Sequence, residues 1–69
     1  MEYVVVIEPA GDGSYSAYVP DLPGCVSCGD TLAEVQDAVA EAVRIHLASL
    51  REHGEPIPPP RTRTTTVAA

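Results

Sequence analysis

The sequence lacks most of the large aromatic side chains that fill the core of a small protein. It contains no phenylalanine, no tryptophan and only three tyrosines among 69 residues. A chain of this size buries only about 60% of the surface that it exposes when unfolded. We therefore expect a single domain over residues 1–69 that gains stability from oligomerisation or from a partner protein.

Lysine is also absent. Four arginines stand against ten acidic residues, so the formal net charge is −6. Proteins that bind nucleic acid need clustered positive charge against the phosphates, and this composition argues against direct binding of DNA or RNA. An acidic surface suits either solubility or a basic protein partner, and charge alone does not distinguish the two.

Long apolar runs are missing as well. The run Tyr3 to Ile7 is too short for the core of a signal peptide, and nothing approaches the length of a membrane span. Two cysteines without an export signal predict a reducing cytoplasm.

Three short segments favour β-structure. Tyr3 to Ile7 is β-branched and apolar, which is typical of a strand covered on both faces. Asp12-Gly13 is a hairpin signal, and Ser14 to Val19 then alternates, with Tyr15, Ala17 and Val19 on the predicted core face. Cys25 to Cys28 is short enough to be a third strand.

Helix signals follow directly. Thr31 lies three residues before Glu34, the spacing of a capping box, although Asp30 could serve as the cap instead. The pattern predicts a helix from about Leu32 to His53, ended by Gly54. Its apolar stripe contains Leu32, Val35, Val39, Ala42, Val43, His46, Leu47 and Leu50.

One apolar residue of the helix, Ile45, lies outside this stripe among charged residues. A single exposed isoleucine is ordinary, but Ile45 is also our candidate for a subunit or partner contact.

After the helix, Glu55 to Pro60 is predicted to be extended and stiff. Arg61 to Val67 could add an edge strand or form a loose tail. The prediction is an α+β fold: a three- to four-stranded antiparallel sheet packed by one long helix (β-β-β-α-β).

The two cysteines have the C-x-x-C spacing of redox and metal sites. On an extended strand their Cα atoms would lie about 10 Å apart, beyond the reach of a disulfide, and their side chains would point to opposite faces. A zinc site would need two further ligands. We interpret Cys25 and Cys28 as ordinary small residues and predict no metal and no cofactor.

Catalytic motifs are absent too. No G-x-S-x-G, P-loop or H-E-x-x-H occurs, and His46 is more often a histidine at the edge of a core than a catalyst. Asp12, Asp21 and Asp30 fall where turn or cap chemistry explains an aspartate. We predict that the chain is not an enzyme.

The stretch P-D-L-P-G-C at Pro20 to Cys25 is a stiff connection, in which Leu22 is either tucked under the sheet or offered outward. Together with G-D-T at Gly29 to Thr31, Glu34, the long helix and G-E-P-I-P-P-P at Gly54 to Pro60, it resembles the HicB antitoxin family. The resemblance spans nearly the whole chain in the expected order.

This resemblance implies a partial ribonuclease H-like fold that binds a small basic HicA-type toxin, an RNA-cleaving protein, and covers its active site. Many family members carry a C-terminal DNA-binding segment, whereas two more helices have no room here after Pro60. We therefore expect no DNA-binding domain.

As partner contacts we predict Asp21, Leu22 and Asp30, against the alternative that they are turn and cap residues only. The alternative function is a stand-alone homo-oligomeric domain of this fold without a toxin partner.

Overall fold

The computed structural model describes residues 1–69 as an antiparallel sheet of three strands and one helix. The strands are β1 (Val6–Pro9), β2 (Tyr15–Tyr18) and β3 (Val26–Gly29), and helix α1 (Leu32–Glu52) follows them. The strands lie in the order β1-β2-β3, and α1 packs on one face, mainly against β3 and β2. The predicted α+β class is confirmed, with the element order β-β-β-α.

Strand β1 begins later than the apolar run predicted. The register pairs Val6 with Tyr18, so Val4 would face Pro20 two positions further along the ladder. Proline has no N–H to donate, and pairing therefore stops at Val6. Residues 3–5 continue beside the sheet without ladder bonds, and all of the run from 3 to 7 is half-buried rather than covered on both faces.

The core lies between the sheet and the helix. Ala17 and Val19 are buried and Tyr15 packs against them, which confirms the predicted inner face of β2. Tyr18 and Val26 are opposite one another on the outer face of the sheet, and both are exposed. The buried residues come from β2, the connection after it and the helix: Ala17, Val19, Leu22, Cys25, Val35 and Val39.

Both helix ends agree with their sequence signals. Thr31 is the N-cap, and its hydroxyl accepts a hydrogen bond from the Glu34 amide at 3.1 Å. The carboxylate of Glu34 accepts in return from the amide of Asp30, not from Thr31. At the other end, Gly54 takes a φ of +67°, which glycine tolerates best, and closes the helix.

One member of the predicted helix stripe is exposed rather than buried or half-buried. Leu32 remains 48% exposed. Strand β3 ends at Gly29, which already touches the backbone at Val35, so the first turn of the helix lies beyond the end of the sheet. Val35 and Val39 are buried as predicted, with Ala42, Val43 and Leu47 packed beside them.

The C-terminal tail, residues 55–69, forms no strand, so the sheet has three strands and not four. The tail nevertheless returns to the domain, because the Tyr3 hydroxyl donates a hydrogen bond to the carbonyl of Pro58. The one helix of the structure falls short of the length and apolarity that crossing a membrane requires.

Candidate partner-binding surface

The connection between β2 and β3 is a tight, internally bonded loop. The amide of Leu22 donates to the Val19 carbonyl and that of Cys25 to the Leu22 carbonyl, both at 3.0 Å. Gly24 supplies the positive φ, +83°, that lets the chain reverse. These bonds turn the loop inward over the end of the core.

Leu22 has no exposed side-chain surface: it is 0% exposed and belongs to the core. Of the two orientations that the sequence left open, the structure has the buried one. The prediction of Leu22 as a partner contact is therefore wrong for this structure. Truncating a leucine at such a site costs about 2–5 kcal/mol, so a variant that changes both Asp21 and Leu22 would test folding rather than binding.

Asp21 binds the tail of its own chain. One carboxylate oxygen accepts from the amides of Arg61 and Thr62, both at 2.9 Å, and the other accepts from the Thr62 hydroxyl at 2.9 Å. These hydrogen bonds hold the pKa of Asp21 below its usual value, and the bond from the Thr62 amide has the largest effect. Because both oxygens are engaged, Asp21 acts here as an anchor for residues 61 and 62.

Asp30 lies at the opposite end of the sheet, between β3 and α1, and it is exposed. Its backbone amide is bound by Glu34, while Thr31 does the capping. The Asp30 side chain is thus not needed as the cap, and it adds negative charge at the start of the helix. Of the three predicted partner contacts, Asp30 is the one whose side chain is exposed to solvent.

The two cysteines differ in environment. Cys25 is buried in the core, and burial raises the pKa of its thiol. Cys28 is exposed, and both thiols are free. No three side chains from histidine, cysteine, aspartate and glutamate come together in an arrangement that could hold a metal ion.

An open groove runs between the start of β3 and the C-terminal half of α1. Ile45 lies on its wall and is 62% exposed. Val26 of β3 also lines the groove and is 65% exposed, but its side chain is on the outer face of the sheet, away from the helix. Cys25 and Ala42 also line the groove, and His46 is its one basic residue. No Asp, Glu or Arg side chain lines it. Ile45 thus belongs to an exposed apolar surface, and is not an isolated exposed residue.

Sequence reasoning missed Val26. The alternation within C-V-S-C places Val26 and Cys28 on one face and Ser27 on the other, so the outward orientation was readable. The groove that Val26 shares with Ile45 was not readable, because Ile45 is nineteen residues further along the chain and reaches the groove only through the packing of the helix.

Comparison with known proteins identifies the class. The family model described as HicB-like antitoxin of bacterial toxin-antitoxin system matches residues 3–69. The chain therefore belongs to the HicB-like antitoxin family.

Individual relatives support this assignment. The UPF0150 protein Ta0767 of Thermoplasma acidophilum is 41% identical over the whole of both chains. UPF0150 protein ssr1765 of Synechocystis is 39% identical over 81% of this chain and 71% of its own length. Among solved structures, a chain of the HicA3 and HicB3 toxin-antitoxin complex superposes with a TM-score of 0.73 at 33% identity, over 87% of this chain and 70% of that one.

Proposed function

We propose that this chain is an antitoxin that binds a small basic HicA-type toxin and inhibits it by covering its active site. The observation that carries the proposal is membership of the HicB-like antitoxin family together with the likeness to a chain of the HicA3 and HicB3 complex. Inhibition by occlusion requires a complementary surface and no chemistry from the antitoxin. The proposal therefore includes no catalytic residue, cofactor or nucleic-acid contact.

Charge and surface area support a protein partner. The net charge of −6 attracts a basic protein at long range. The chain exposes 5109 Å², whereas a compact monomer of its mass exposes about 4,200 Å². The difference, about 900 Å², is similar to what one partner buries in a stable interface. Free thiols and the toxin–antitoxin assignment suit a prokaryotic cytoplasm, which is part of the same proposal.

The test is co-expression with the small basic HicA-type protein that the proposal expects to be encoded by an adjacent gene. A tag on this chain should retain that protein stoichiometrically, and co-expression should restore growth that the toxin alone arrests. If growth is not restored and nothing is retained, even at low salt where charge pairs are strongest, the antitoxin proposal is wrong.

The second candidate is a stand-alone homo-oligomer, and the exposure of Ile45 and Val26 favours it. Apolar groups on a small domain commonly mark an interface, including one between copies. Sedimentation equilibrium of the purified chain would distinguish the two. A stable dimer or tetramer, combined with failure to bind the toxin, would favour this alternative.

A further inference from the structure

The outer edge of β3 carries unpaired backbone groups. The amide of Val19 donates to the Cys25 carbonyl at 3.1 Å, which makes this a hydrogen-bonded pair of the β2–β3 ladder. Bonded and non-bonded pairs alternate along an antiparallel ladder. In the observed register, Val26 and Cys28 fall in the non-bonded pairs. Their N–H and C=O groups therefore point away from β2, toward solvent.

This edge is short, at four residues, but it lacks the other features that normally block strand addition. It carries no proline, no lysine and no inward-pointing charge. Its exposed side chains are Val26 and Cys28, and Ile45 stands beside it on the helix. An added strand would find backbone partners on one side and an apolar contact on the other.

Acidic residues border the same edge. At 100° per residue, Glu34 and Glu41 lie within about 40° of Ile45 around the helix, and both are exposed. Asp30 adds a third carboxylate where β3 meets α1. The two arginines of the helix, Arg44 and Arg51, lie about 100° or more away from Ile45. Along the helix axis Glu41 lies about 6 Å from Ile45 and Glu34 about 16 Å, so acidic side chains follow this side of the helix from the groove towards β3's end at Asp30.

We propose that the β3 edge and the Ile45 groove receive an extended segment of the basic partner, which adds a fourth strand beside β3. Its backbone pairs with Val26 and Cys28, and its side chains alternate between the two faces. An apolar side chain on the inner face packs against Ile45, one on the outer face lies beside Val26, and neighbouring Lys or Arg side chains meet Glu34 and Glu41. This inference rests on the proposed antitoxin function and specifies where and how the toxin binds.

A second copy of this chain suits the groove less well. Two copies would bring two acidic borders, each on a chain of net charge −6, close to one another. Like charges juxtaposed across an interface oppose association. A basic segment neutralises the same carboxylates, so charge complementarity selects the occupant.

Amide hydrogen exchange tests the backbone part of the proposal. The chain would be labelled for NMR and measured free and with the HicA-type protein of the adjacent gene. The Val26 and Cys28 amides should exchange rapidly in the free chain and slow by at least about tenfold in the complex. The amide of Ala17, already within the sheet, serves as the internal reference.

Matched substitutions test the side-chain part. Ile45→Asp should weaken binding by at least about 30-fold, the effect of losing a hot-spot contact, while Ala40→Asp adds the same charge at an exposed position on another side of the helix. Glu41→Lys should weaken binding about tenfold more than Glu8→Lys, which makes the same change in net charge on β1. Circular dichroism of each variant establishes that it folds.

The outcomes separate the two proposals. If the wild-type chain does not bind the toxin, the antitoxin function fails and this inference fails with it. If the wild type binds but Val26 and Cys28 gain no protection and the variants match their controls, the toxin binds elsewhere and only this inference is overturned. If the free chain is a dimer that Ile45→Asp converts to a monomer, a second copy occupies the groove and the inference is wrong.

Discussion

Gly29 is the residue at which the sheet and the helix come closest. A Cβ atom at this position would lie 2.6 Å from the backbone nitrogen of Val35 and 3.0 Å from its Cα. Both are main-chain atoms of α1, so a methyl group could fit only if the whole helix moved. The glycine of the G-D-T motif is therefore required for the approach of the helix to β3, and not for an unusual φ.

We expect Gly29→Ala to lower the free energy of unfolding by about 1–3 kcal/mol, the usual effect of overpacking. Urea denaturation monitored by circular dichroism measures it. Gly11→Ala is the matched control, because nothing lies within 4 Å of a Cβ at Gly11, and it should change stability by less than about 0.5 kcal/mol. Equal effects of the two substitutions would contradict the steric explanation.

Asp21 decides where the tail lies. We expect Asp21→Ala to release residues 61 and 62, because the three hydrogen bonds of the carboxylate disappear. Trypsin should then cleave after Arg61 faster than in the wild type. Cleavage after Arg44, within helix α1 and away from the anchor, provides the internal comparison and should stay unchanged. No acceleration at Arg61 would mean that other contacts hold the tail.

The same anchor predicts a pH dependence. The pKa of Asp21 is lowered in the folded chain, so the anchor's contribution is fully present above the ordinary aspartate pKa of about 3.9 and is lost as pH falls through the lowered folded value. The NMR shift of the Thr62 amide should therefore move only in acid. In Asp21→Asn, which retains the shape without a titrating group, this transition should be absent.

At the scale of elements, the start of α1 depends on Thr31. Its hydroxyl satisfies the Glu34 amide, whereas the Asp30 side chain does not cap. Thr31→Ala should cost about 1 kcal/mol, and Asp30→Ala only a few tenths through the lost interaction of its charge with the helix dipole. Thermal unfolding of both variants makes the comparison. A larger loss for Asp30→Ala would reverse the assignment of the cap.

Strand β3 shows how one element serves two purposes. Gly29 at its end makes the close approach to the helix, while the backbone groups of Val26 and Cys28 on its free edge are left unpaired. A central strand could not offer both. The order β1-β2-β3 places β3 at the edge, and the helix then brings Ile45 alongside.

At the scale of the whole molecule, the domain is extended for its length. Its radius of gyration is 13.3 Å, compared with about 11 Å for a compact domain of 69 residues. Only six residues are buried. A core of this size leaves little stability in reserve, so a partner that binds only the folded state contributes substantially.

We therefore expect the HicA-type toxin to stabilise this chain. At a free concentration of 100 times Kd the gain is about 2.7 kcal/mol, which for so small a domain raises Tm by on the order of 10 °C. Thermal unfolding at increasing toxin concentration measures the shift, with Ile45→Asp as the variant that should shift less. A Tm independent of toxin concentration would contradict binding to the folded state.

Much of the fold was predictable because its signals are local. The hairpin at Asp12-Gly13, the inner face of β2, the cap at Thr31 and the stop at Gly54 each depend on residues within a few positions of one another. The family resemblance was readable for the same reason, since its motifs are short and continuous. The start of β1 was less predictable, because its limit is set by Pro20 on the neighbouring strand.

The sequence by itself determined the elements, their order and the acidic character of the chain, because propensity, alternation and charge are properties of neighbouring residues. Only the tertiary structure decided that Leu22 is buried, that Asp21 holds the tail and that Val26 and Ile45 line one groove beside a free strand edge. Each of these depends on contacts between segments far apart in the chain, and burial and hydrogen bonding at such contacts arise only when the sheet and the helix pack together.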